Sequence, residues 1–189
     1  MTTIAAIQGD GFAVIAADRR ASDDDGFTVD MVSPKIFKNG IALIGGAGSV
    51  RGLNILEFGW TAPAFAQSKT VEHYLTQKFI PSLRSAFIEA GYDMKSDKEA
   101  AEQDNDLVIC IKGQVFIIAG DYSWDRCSRG IHIAGSGGKY ALGALAALGA
   151  TDKKITTEKA EALLRKSIAI AMRWDAYSGG EVDVFTQEA

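Results

Sequence analysis

The chain has 189 residues, 47% of them hydrophobic, and a formal net charge of −4. That much apolar material can bury one substantial core, so a single domain over residues 1–189 is expected. No stripe of Lys and Arg offers a footprint for nucleic acid, no stretch approaches the roughly 18 apolar residues that span a bilayer, and Cys110 and Cys127 lack the spacing of a disulfide framework or zinc site. A soluble cytoplasmic protein with no cofactor and no metal is the expectation.

Residues 3–8 and 12–17 are apolar runs around Gly9-Asp10-Gly11, which predicts a strand, a tight turn and a returning strand. The run Asp23-Asp24-Asp25-Gly26 reads as a solvated loop, because the terminal glutamate of a calcium loop is missing. Extended segments follow at 27–32 and, after the turn at Asn39-Gly40, at 41–45. Val50, Leu53, Leu56 and Trp60 then recur at helical spacing, as do Val71, Tyr74, Leu75, Phe79, Leu83 and Phe87, which predicts helices over 49–61 and 70–90. Pro81 should kink or interrupt the second. Residues 92–105 read as a polar loop, and strands are predicted at 106–112, 114–119 and 130–135. Helices over 139–148 and 157–177, the latter capped by Thr156 or Thr157, precede a final strand at 182–186. Strands, two helices, strands, two helices and a strand point to antiparallel sheets with helices packed outside, not to a parallel wind.

Candidate chemistry begins at the first residues. If Met1 is removed, Thr2 carries both a hydroxyl and a free α-amine, and an amine titrating near ~8 can take the hydroxyl proton. On these residues alone an ordinary first strand beginning Met1-Thr2-Thr3 is the preferred reading, since many chains begin Met-Thr. His73 and His132 have no triad context and read as surface or packed residues. Gly135-Ser136-Gly137-Gly138 looks like part of a serine nucleophile turn, but Ala134 stands where that turn needs glycine, and no GKS or GKT follows to make a phosphate cradle.

Six segments taken in order, TTIAAI, VIAADRR, PKIF, IALIGGAG, AGSGGKYA and DAYSGGEVDV, resemble the proteasome β-subunit and its bacterial HslV-type relatives, from Thr2 to about Phe185. These are N-terminal nucleophile hydrolases with a four-layer αββα sandwich, an α+β fold that agrees with the element order. The resemblance implies Thr2 as nucleophile once Met1 is gone, with its own amine as base. Lys35 would stabilise the developing alkoxide, Asp18 would hold Lys35, and the Gly45 amide would serve the oxyanion. Ser136, Asp175 and Ser178 match the polar cluster around the nucleophile, Ser22 a substrate-backbone contact, and Leu43 a wall of the pocket for the residue before the cleaved bond. On their own, Asp18 and Lys35 would read as a surface salt bridge, Gly45 as a strand-end glycine and Ser136 as a helix cap.

One residue more than the usual spacing separates Asp18 from Lys35. No propeptide is expected before Thr2, as in the HslV-type proteins. The ending SGG and VDV is closer to the proteasome, AGSGGKYA to HslV. By resemblance the partners are copies of itself in stacked rings, an unfolded polypeptide substrate and an ATP-dependent unfoldase, since the chain has no nucleotide motif of its own. A catalytically silent structural subunit of the same fold is the alternative, and a small-molecule amidase a third reading.

Overall fold

The computed structural model describes residues 2–23, 25–93, 101–151 and 154–189. Met1, Asp24 and residues 94–100 of the expected loop over 92–105 lie outside them, as do residues 152–153. In chain order the strands are β1 (Ile4–Gln8), β2 (Phe12–Asp18), β3 (Arg20–Ser22), β4 (Thr28–Asp30), β5 (Ile36–Asn39), β6 (Ala42–Gly48), β7 (Asn105–Ile111), β8 (Gln114–Ile118), β9 (Trp124–Asp125), β10 (Ile131–Ala134) and β11 (Val182–Glu188). The helices are α1 (Val50–Asn54), α2 (Val71–Tyr74), α3 (Ile80–Glu89), α4 (Gly138–Ala147) and α5 (Thr157–Trp174).

Two antiparallel sheets form, one ordered β10-β1-β2-β11 and the other β5-β6-β7-β8-β9, while β3 and β4 make a separate hairpin. Alternation along the strands assembles the layers, since successive side chains point to opposite faces. Ile4, Ala6, Ala13, Ile15 and Ala17 of the first sheet meet Ile36, Leu43, Val108, Cys110 and Val115 of the second. The intervening residues Ala5, Ile7, Val14 and Ala16 turn outward to Ala141 and Leu145 of α4 and Leu164, Ile168 and Ala171 of α5. Ile44, Leu107, Ile109 and Phe116 turn the other way, to Leu56, Leu75, Phe79, Leu83 and Phe87. The result is the αββα sandwich, with β2 buried on both faces along all of its seven residues.

Three short strands escaped the pattern. Arg20-Ala21-Ser22 of β3 shows no apolar alternation because it pairs only with β4; β5 is four residues long and β9 two. Pro81 does not break its helix. A π-helical turn at Leu75–Phe79 joins α2 to α3, and Pro81 falls in the first turn of α3. The widened turn makes room for a ring that would otherwise press on the carbonyl four residues back and that has no N–H to give it. Helix α5 ends at Trp174, three residues earlier than the pattern suggests, as Asp175 takes an extended conformation. Thr156 caps it by accepting from the Lys159 amide.

Candidate active site

Strand β2 ends in a carboxylate that water does not reach. Asp18 is fully buried, and each of its oxygens accepts two hydrogen bonds. Oδ1 takes the Thr3 amide at 2.8 Å and the Lys35 ammonium at 3.0 Å, and Oδ2 takes the amides of Gly179 at 2.9 Å and Arg20 at 3.1 Å. A buried ion pair offsets its desolvation only when its remaining valences are filled in this way. The extra residue between Asp18 and Lys35 does not prevent the contact; after β3 the Asp23 carboxylate accepts from the Asp25 and Phe27 amides.

Lys35 is itself 5% exposed. Burial pushes its ammonium below the ordinary lysine range, against the attraction of Asp18. Two of its three donors go to Asp18 and the Arg20 carbonyl, which leaves the third for the cleft that Lys35 lines together with Thr2.

The two threonines of the opening segment occupy different environments. Thr3 has its amide on Asp18, its carbonyl on the Asp18 amide and its hydroxyl 2.6 Å from Ser178 Oγ. Ser178 donates to Asp175 Oδ2 at 2.5 Å, and Ser136 Oγ donates to the same oxygen at 2.8 Å. A carboxylate only accepts, so the Ser178 proton is committed to Asp175 and Thr3 must donate to Ser178. Thr3 is thereby occupied as a structural hydroxyl. Thr2 instead lines two clefts that meet at it, of about 130 and 690 Å³. Gly135 and Gly137 let the segment lie this close, since a Cβ at the first would overlap the Thr2 carbonyl and at the second Thr3 Oγ1.

Ser22 lines both clefts beside Thr2, and Ser136 the larger one. Gly45 and Leu43 do not reach them. A Cβ at Gly45 would press on Ile15, 2.8 Å away, in the layer between the sheets, and Leu43 packs in that same layer. By strand parity both residues face the layer between the sheets, and the glycines of β6 that line the cleft are Gly46 and Gly48. The Gly46 amide points towards β5, bonding the Lys35 carbonyl, and amide direction alternates along a strand, so the Gly48 amide points the same way. In the β5–β6 register it lies beyond the first residue of β5, on the open side facing the cleft. Gly48 has φ +136° and no room for a Cβ beside the Asp104 carbonyl, which makes glycine obligatory there. The signal available in sequence was its place as the last glycine before the helix.

Neither histidine approaches this arrangement. His73 is exposed on α2, and buried His132 accepts the Cys127 amide through Nε2, with burial lowering its basicity. Cys110 is core, its thiol pushed up to about 12 by burial.

The chain matches no protein-family model. It is 27% identical over 189 residues to the ATP-dependent protease subunit HslV of Staphylococcus carnosus, covering 99% of this chain and 92% of the relative. Against ClpQ, the ATP-dependent protease subunit of Bacillus velezensis, identity is 29% over 189 residues with the same coverage. The Thiobacillus denitrificans BPH structure in complex with epoxomicin superposes with a TM-score of 0.78 at 25% identity, over 99% of this chain and 98% of that one. In sequence and fold the chain is similar to the HslV-type threonine peptidases. Likeness in fold extends to the eukaryotic HslV of Trypanosoma brucei, with a TM-score of 0.67 at 23% identity over the whole of both chains. The HslV-type fold accounts for the sandwich and for the burial of β1 at its centre, which brings the segment before it to the clefts. Among the described residues no helix is long and apolar enough to cross a membrane, and no group of acidic, histidine and cysteine side chains could hold a metal ion.

Proposed function

We propose that this chain is the N-terminal threonine peptidase subunit of a self-compartmentalising ring protease, a single domain over residues 1–189 that cleaves unfolded polypeptides in the cytoplasm once Met1 is removed. The observation that carries the reading is Thr2 at the junction of two clefts beside Lys35, with Lys35 held by a fully satisfied Asp18. A cleft on each side of the nucleophile suits an extended chain better than a small amide, which one enclosed pocket would serve.

In this mechanism the Thr2 hydroxyl attacks the peptide carbonyl, its proton passes to the free Thr2 amine, and the third donor of Lys35 faces the negative charge that develops. The carbonyl oxygen becomes an oxyanion within reach of the Gly48 amide, the role the resemblance implied for Gly45. Collapse releases the amine product, protonated by the Thr2 ammonium, and leaves an ester on Thr2 Oγ1 that water hydrolyses. Asp175, Ser178 and Ser136 hold the segment in register through Thr3, while Ser22 contacts the substrate backbone. Copies of the chain would form stacked rings, and an ATP-dependent unfoldase, as the names of the relatives suggest, would feed them.

Thr2→Ala should abolish cleavage of an unstructured casein substrate without preventing assembly, whereas Thr3→Ala should retain part of it. Intact mass fixes the state of the terminus in each preparation. Cleavage by a clean Thr2→Ala preparation overturns the reading. Assembled rings that retain Met1 and cleave nothing support the silent structural subunit instead.

A further inference from the structure

The smaller cleft has a chemical character of its own. Besides Thr2 and Lys35, its lining includes Met31, Val50, Leu53 and Phe58, which are apolar, and Glu57, which is not. Glu57 sits in the π-helical turn Ile55–Gly59 that extends α1, so the turn carries its carboxylate to the cleft. It is half-buried, and burial holds its carboxyl above the usual carboxylate range. Among the described residues no cation pairs with it: Lys35 is engaged by Asp18, Arg20 by Asp30, and the Arg51 guanidinium by the Ala90 carbonyl and the Tyr92 ring. The Lys35 and Asp18 charges cancel, which leaves Glu57 as the one charged side chain lining the cleft without a partner among the described residues.

At about 130 Å³ the cleft accepts one side chain, a little less than the cavity that holds a benzene ring. We propose that it receives a basic side chain, lysine or arginine, from the residue on the acyl side of the cleaved bond, with Glu57 as acceptor for the charged end. The inference rests on the peptidase reading. A methylene stem matches Met31, Val50, Leu53 and Phe58, and a cationic tip supplies the partner that Glu57 lacks. A wholly apolar occupant would dehydrate the carboxylate and give nothing back, and an acidic one would meet a like charge.

Lysine and norleucine differ only in the terminal ammonium, which makes them the discriminating pair. Acetylated tripeptide amides ending in one or the other are titrated into the full-length Thr2→Ala protein, which reads the cleft without the chemistry. Lysine should bind about ten- to fiftyfold more tightly, and Glu57→Gln should remove most of that ratio. Equal or tighter binding of norleucine, or an unchanged ratio in Glu57→Gln, overturns the proposal. The Met1-free wild-type protein is then offered both residues before a fluorogenic amide. Faster cleavage after lysine supports the assignment; cleavage without that preference counts against Glu57 alone, and a binding preference without any cleavage counts against the peptidase reading.

Discussion

Asp18 and Asp175 flank the same opening segment, and their surroundings are built from different donors. Asp18 is held by three backbone amides and one buried ammonium, all of them fixed in place by strand and turn geometry. Asp175, at the end of α5, is held chiefly by the hydroxyls of Ser136 and Ser178, which rotate about a single bond. The first arrangement maintains a charge in a dry place. The second orders protons, running from Thr3 through Ser178 to the carboxylate, and it tolerates rearrangement because each hydroxyl can turn to another acceptor.

The widest separation between the two should come from neutralising Asp18. Asp18→Asn leaves Lys35 buried without a counter-charge, a loss of about 3–5 kcal/mol, and should abolish peptide cleavage. Urea unfolding measures the first effect, and Asp18→Asn combined with Lys35→Met should regain most of the stability and none of the activity. On the other side, Ser178→Ala removes one hydroxyl and strands the Thr3 proton, for about 1–3 kcal/mol. It should lower turnover without abolishing it, so that a loss as complete as that of Asp18→Asn would erase the difference between the two carboxylates. The smallest effect concerns pH. Because burial places the Lys35 ammonium below 10.5 in the folded protein, the native state releases that proton before the unfolded chain does. In the window between the lowered value and 10.5 the unfolded chain binds more protons, so the Lys35 contribution to stability rises with pH while activity falls. Parallel melting curves and kcat/KM profiles through that window should diverge; profiles that fall together would assign the alkaline loss to unfolding.

Legibility in the sequence differs between backbone and site. The long strands and helices were visible because both sheets are buried on two faces and the helices on one, which writes strong apolar runs and a helical period into the chain. Positions such as Asp18 and Lys35 came from motif resemblance, and nothing in composition would have paired the last residue of β2 with the residue that precedes β5. Leu43 and Gly45 lie away from the clefts for a reason that strand geometry makes plain. Both are odd-numbered positions on β6 and face the layer between the sheets, whereas the cleft beside α1 takes even-numbered Gly46 and Gly48. In a run such as Ile44-Gly45-Gly46-Ala47-Gly48 the glycines carry no side chain to mark which face is which, and a one-residue shift exchanges the faces. Glu57 was hidden by its π-helical turn, since an extra residue per turn rotates the succeeding side chains away from the face that a regular helical period assigns.

The contact between the Thr3 hydroxyl and Ser178 joins residues 175 apart in sequence, and the Gly179 amide reaches Asp18 across 161. Closing loops of that length is slow and comes after local helices and hairpins have formed. On a ribosome the opening segment would emerge first and wait for the turn after α5 before it could be fixed in register. The order of synthesis itself thus acts as a safety catch: the nucleophile is made earliest, and the parts that position it arrive almost last.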